Sequence, residues 1–284
     1  MIEKVQQCGR ARITYRVIEN KQSKSVIVML HGLASNMTRW TEFMTHTTLD
    51  RTWNLLAVDL RGHGRSPFRG RYHREQWCQD IRAIIQAGQY DEVVILGHNM
   101  GAQVAMQYAL QYSQQVRALI LIDPIFDQNL VGQLATARRY KWLLWCFLLL
   151  VWGGNLLGIK KRKFVQRDLY ELDRKTRVFL QSNPQQGIAE LYMSPFEDLK
   201  YIPLANYLQD ILQVVRPVGR IEKITCPVLV LLSQGASMSN VEKNTRIINS
   251  MPGSEIKAID ADHWLLTERP AEARRAIEDW CEKL

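Results

Sequence analysis

The ten residues Val93-Val94-Ile95-Leu96-Gly97-His98-Asn99-Met100-Gly101-Ala102 constrain the fold more than any other stretch. Val93 to Leu96 are apolar without a break, the pattern of a strand covered on both faces and therefore of a parallel sheet beneath helices. Gly97 and Gly101 then bracket a tight turn, and Val104, Met106 and Ala109 resume at helical spacing. Strand, sharp turn and helix follow one another here, with Asn99 midway between the two glycines.

The rest of the chain repeats this alternation. Residues 12–18 alternate loosely, as an early antiparallel strand does, while 26–30, 55–59, 118–122, 227–232 and 255–259 read as further strands. Residues 37–47, 72–87, 241–250 and 270–283 read as helices; in the second of these, Trp77, Ile81, Ile84 and Ile85 recur on one side. An apolar fraction of 46% supports a large core, and 284 residues suit one α/β core with an insertion. The pattern predicts an α/β protein whose mostly parallel sheet is covered on both faces.

Four features stand in a telling order. His31-Gly32 follows the strand at 26–30, and the segment 59–67, Asp59-Leu60-Arg61-Gly62-His63-Gly64-Arg65-Ser66-Pro67, follows the next strand. The Gly97–Gly101 turn comes third, and His263-Trp264 follows the last strand. Together they resemble the α/β-hydrolase superfamily, and within it the small bacterial carboxylesterases; residues 10–124 and 220–284 fit throughout. The turn resembles the nucleophile elbow G-x-S-x-G of that superfamily. The resemblance implies an α/β-hydrolase core of residues 1–124 and 220–284, a helical lid over 125–219, and cofactor-free ester or thioester hydrolysis. It places Asn99 at the nucleophile position and His263 as the base. The backbone N–H groups of Leu33 and Met100 become the oxyanion donors.

The acid is open between readings. The loop 233–240 carries no carboxylate until Glu242, whereas Asp123 ends the strand after the elbow helix, where some small bacterial esterases resembling this chain keep their acid. Asp123 is the expected acid, with Glu242, or no acid at all, as the alternatives. His31 is expected to brace its loop by hydrogen bonding, His98 and His63 to be structural, and Asp262 to point elsewhere.

Asn99 departs from the family pattern. A carboxamide is uncharged and its nitrogen lone pair is delocalised, so His263 cannot turn it into a useful nucleophile. Three readings stay open: a serine replaced to trap a complex, a natural degeneration into a protein that binds an apolar ligand or partner, and deamidation to aspartate. As written, the chain is expected to hydrolyse esters poorly or not at all.

The middle of the chain holds the other informative stretch. Residues 142–159 carry no charge and lie between Arg138-Arg139-Tyr140-Lys141 and Lys160-Lys161-Arg162-Lys163. Eighteen residues is about the lower limit for a bilayer span, and a span would put two parts of one lid on opposite sides of a membrane. Gly153-Gly154-Asn155 is expected to split the run into a helix of about twelve residues and a short tail. It is either a buried roof over an apolar pocket or a lid that dips into an anionic interface through its tryptophans. Residues 125–200 contain 12 Lys and Arg against 7 Asp and Glu, and so hold +5 of the chain's net +9. That concentration points to an anionic membrane surface reached through 138–163, not to nucleic acid, for which no motif is present. The expected substrate is acyl or lipid-like. Five scattered cysteines and an N-terminus without an apolar run lead to the expectation of a cytoplasmic protein with reduced thiols, peripheral at the membrane in the second lid reading.

Overall fold

The computed structural model describes residues 1–161, 163–182, 195–235, 241–262 and 264–284. Among these residues the strands are β1 (Ile2–Cys8), β2 (Ala11–Ile18), β3 (Ser25–Leu30), β4 (Asn54–Val58), β5 (Glu92–His98), β6 (Val116–Ile122), β7 (Val228–Ser233) and β8 (Ser254–Ile259). They form one sheet in the order β1-β2-β4-β3-β5-β6-β7-β8. β1, β2 and β4 pair antiparallel, and every pair from β4–β3 to β7–β8 is parallel. The continuous apolar runs occupy the centre: Val26 to Leu30, Val93 to Leu96 and Leu119 to Ile122 are all fully buried.

Two apolar layers cover the sheet. On one face α2 (Arg74–Ala87) and α3 (Met100–Gln111) bury Trp77, Ile81, Val104 and Tyr108. On the other, α1 (Thr41–His46) and the C-terminal helix bury Phe43, Ile277 and Trp280. This is the α/β-hydrolase architecture, a mostly parallel central sheet flanked by helices.

Between β6 and β7 the described chain is helical: α4 (Gly132–Arg139), α5 (Lys141–Leu156), α6 (Leu169–Ser182), a turn at Pro195–Asp198, and α7 (Leu204–Val214). α8 (Val241–Ile248) follows β7, and after β8 come a short helical turn at Leu265–Glu268 and α9 (Pro270–Cys281). Buried polar clamps tie the inserted helices to the core. Arg39 pairs with Asp173 of α6 and donates to Thr267 at 2.9 Å. Arg74 of α2 donates to the carbonyls of Gln213, Arg216 and Pro217 at the end of α7.

One expectation is corrected here. α5 does not stop at Gly153-Gly154 but runs to Leu156. Glycine costs a helix interior about 1 kcal/mol relative to alanine, and packing of Val151 and Trp152 against α7 offsets it. The two glycine carbonyls also accept from Leu157 at 3.1 Å and from Ile159 at 2.9 Å, closing the helix end.

Candidate active site

β5 passes into α3 through a single strained residue. Asn99 holds φ 54° and ψ −114°, a region that costs roughly 1–3 kcal/mol for a residue with a Cβ. Its neighbours have no room for side chains. A Cβ on Gly97 would lie 2.4 Å from the Gly101 carbonyl oxygen, and one on Gly101 would lie 2.4 Å from that of Leu30. The Asn99 N–H donates to the Ile122 carbonyl at 2.9 Å, which pins the turn against the end of β6, one residue before Asp123.

The side chain of Asn99 is buried and turns back on its own helix: Oδ1 accepts the Met100 N–H at 2.8 Å. That N–H is one of the two expected oxyanion donors. The other, on Leu33, belongs to a loop lying directly over the elbow, since a Cβ at Gly32 would sit 3.1 Å from that of Asn99. His31 braces this loop. Its Nε2 accepts from Leu60 N–H at 3.1 Å, so Nδ1 carries the proton and donates to the Gly32 carbonyl at 2.9 Å. Burial, and then the neighbouring His63, hold the His31 pKa well below its usual range, so the ring is neutral. Asp59 orders the next loop, accepting from Met37 and Arg65 N–H, each at 2.7 Å.

Asp123 sits at the end of β6 with φ 43°. Its Oδ1 accepts the N–H of Ser233 at 2.8 Å and the hydroxyl at 3.0 Å. Its Oδ2 is buried and has no hydrogen-bond partner among the described residues. Burial pushes this carboxyl up to about 7, against the pull of the two Ser233 bonds. Glu242 is elsewhere: its side chain is 77% exposed and pairs with Arg246 at 2.6 Å on the surface of α8. The structure therefore brings Asn99, Met100, the Leu33 loop and Asp123 to one end of the sheet and leaves Glu242 in solvent.

His263 lies outside the described residues, but its two neighbours are held. Glu268 accepts the N–H of Asp262 through Oε2 and that of Trp264 through Oε1, each at 3.0 Å. One carboxylate thus grips the backbone on both sides of position 263. Sequence reasoning assigned Glu268 no role of its own, because a side chain that caps backbone groups leaves no periodic signal. Ser233 escaped for a similar reason.

A second buried cluster joins the insertion to the core. His63 Nε2 lies 2.9 Å from Asp210 Oδ2, and the Tyr72 hydroxyl donates to Asp210 Oδ1, also at 2.9 Å. Burial presses the His63 imidazole toward neutrality, yet the Asp210 carboxylate and its hydrogen bonds raise its pKa above the usual value. No group of three or more His, Cys, Asp or Glu among the described residues is placed to hold a metal ion.

A family model described as alpha/beta hydrolase fold matches residues 25–270. The chain belongs to the α/β-hydrolase family. Across nearly its whole length this α/β hydrolase is similar to the sn-1-specific diacylglycerol lipase ABHD11 of Danio rerio, with 22% identity over 91% of the chain and 78% of the lipase. A shorter match, 34% identical over 40% of this chain, links it to an uncharacterized protein of Mycobacterium tuberculosis H37Rv. The chain spans about a third, 34%, of that relative's length. A hydrolase from Pseudomonas aeruginosa shares the fold at a TM-score of 0.71 and 16% identity, covering 98% of both chains.

Proposed function

We propose that this α/β hydrolase carries a site built for carboxylic esters or thioesters of an apolar acyl group, and that Asn99 silences it at the nucleophile position. In this reading Asn99, His263 and Asp123 occupy the nucleophile, base and acid positions. Leu33 and Met100 supply the oxyanion donors, residues 1–124 and 220–284 form the core, and 125–219 form the cap. One observation carries it: the Asn99 carboxamide both lacks a transferable proton of suitable acidity and occupies the Met100 N–H through its own oxygen. Catalysis by this template needs that donor aimed at the charge that develops on the substrate. Likeness to a diacylglycerol lipase over 91% of the chain supports a lipid-like acyl ligand. The reading includes peripheral contact with an anionic membrane through residues 138–163.

The test is the restored nucleophile. Asn99→Ser supplies a hydroxyl and withdraws the carboxamide oxygen from Met100 N–H. It should react with a fluorophosphonate probe and hydrolyse short p-nitrophenyl esters about 10⁴-fold faster than the parent. A folded Asn99→Ser protein as inert as its parent would sink the ester-hydrolase reading and leave a binding protein on a hydrolase scaffold.

A further inference from the structure

α5 is apolar on two opposite sides, and among the described residues only one of them is packed against another helix. Its inner side, Leu144, Leu148, Val151 and Trp152, packs on Leu204, Ala205, Leu208 and Leu212 of α7. Its outer side carries Trp142, Leu143, Leu149 and Leu150, of which Trp142 is 62% and Leu150 72% exposed. The apolar surface runs on past the helix end through Leu156 and Leu157, 90% and 82% exposed. Single exposed leucines are ordinary, but a contiguous apolar face on a monomer marks an interaction site.

Charge identifies what covers it. From 138 to 163 the chain holds seven Lys or Arg and no Asp or Glu, in two clusters at the two ends of the apolar stretch. Among the described residues Arg139, Lys141, Lys160 and Lys163 have no carboxylate partner. Arg138, Arg139 and Lys141 line a cleft of about 340 Å³ beside Asp127 and Gln128; Asp127 pairs with Arg138 at 3.1 Å. A second copy of the chain docked on this face by a twofold axis would set two such basic clusters against each other. A helix of 16 residues rises only about 24 Å, and no helix among the described residues is long and apolar enough to cross a membrane. Lying flat in a bilayer interface satisfies both features at once: apolar residues enter the acyl boundary while cations at both ends meet headgroup phosphates.

We infer that α5 lies in the plane of an anionic bilayer with the Trp142–Leu149–Leu150 side inserted, headgroup phosphates meeting the Arg138–Arg139–Lys141 cleft at one end and Lys160, Lys161 and Lys163 at the other. This rests on the reading of 138–163 as membrane-facing and adds which side enters the lipid and how the helix is oriented.

The chain carries its own reporter for the test. Cys146 is the exposed thiol on this helix, whereas Cys8, Cys78 and Cys281 are buried and Cys226 is half-buried. Burial pushes Cys8, Cys78 and Cys281 up to about 12 and Cys226 up to about 11, so they react slowly. A nitrobenzoxadiazole label on Cys146 should shift to the blue, and be quenched by lipid-borne nitroxide, when vesicles of phosphatidylglycerol and phosphatidylcholine are added at low salt. Pure phosphatidylcholine should leave it unchanged. Leu150→Glu should abolish the shift with an unaltered melting temperature. Replacing Lys160, Lys161 and Lys163 by Gln should weaken vesicle binding about 100-fold. No sedimentation with anionic vesicles at low salt overturns membrane contact and orientation together. Binding without any change at Cys146, or binding that survives Leu150→Glu, overturns only the inserted side. A lipid-free dimer that shields Cys146 from labelling assigns the face to a second copy and overturns the inference.

Discussion

At the scale of single residues, Asn99 and Asp123 are the two groups of the candidate site held in the most unusual surroundings, each at a positive φ and buried. Asn99 is accommodated because its amide satisfies a donor at the first turn of α3, as a capping side chain does. Asp123 shows the opposite balance, with one oxygen held by Ser233 and the other buried without a partner among the described residues. With its pKa at about 7, the folded protein retains a proton that the unfolded chain loses near pH 4. Stability therefore falls as pH rises from about 4 to 7, by up to about 4 kcal/mol. Asp123→Asn should remove that slope: thermal unfolding should show the variant more stable than the parent at pH 8, the gap closing below pH 4. In an Asn99→Ser background the same substitution should lower turnover by about 10⁴-fold, while Glu242→Gln leaves it unchanged. Turnover that survives Asp123→Asn would remove the acid assignment.

At the scale of elements, the insertion is held by polar groups buried against the core, and α7 is its anchor. Asp210 of α7 joins His63 and Tyr72 of the core, and Asn206 donates to the carbonyls of Gly62 at 3.0 Å and Phe68 at 2.8 Å. Asp59 adds to the field that favours charge on His63. A histidine whose pKa is raised on folding lends stability that is complete below about pH 6.5 and is lost as pH rises through the raised value. Asp210→Asn keeps an acceptor for Tyr72 but deprives His63 of its counter-charge. Urea unfolding should show a loss of about 3–5 kcal/mol at pH 6 that narrows at higher pH. A deficit that stays constant from pH 6 to 9 would mean that His63 is not charged in the folded protein.

At the scale of the whole molecule, stability is graded across the sheet. β3, β5 and β6 have strand neighbours on both sides and near-complete burial, whereas β1 forms an edge with Ile2 and Val5 exposed. No residue of α4 is buried, and in α5 only Leu148 is. Local opening follows burial and contact density, so hydrogen exchange followed by mass spectrometry should find the slowest amides in β3, β5 and β6. The fastest should lie in β1 and α4. Protection of α4 equal to that of β5 in the absence of lipid would contradict this grading.

The sequence alone determined the architecture, because its decisive signals are local. Unbroken apolar runs demand burial on both faces, and Gly97 and Gly101 permit a turn that any Cβ would block. The order of the loops around His31, Asp59 and Asn99 needed no coordinates either. β1 was not legible, since an edge strand exposed on both sides has no alternation to read; its pairing with β2, Ile2 opposite Val17, supplies its order. Nor was the hold of Glu268 on residues 262 and 264, or the meeting of His63 with Asp210 across 147 positions of chain. The two sides of α5 read alike because both are leucine and tryptophan; among the described residues, α7 packing on one of them decided which side faces outward. Asn99 itself stood out in the sequence as the residue between Gly97 and Gly101 where the G-x-S-x-G pattern carries serine. That its oxygen takes the Met100 N–H is a matter of side-chain direction at a strained turn, which the tertiary structure alone decides.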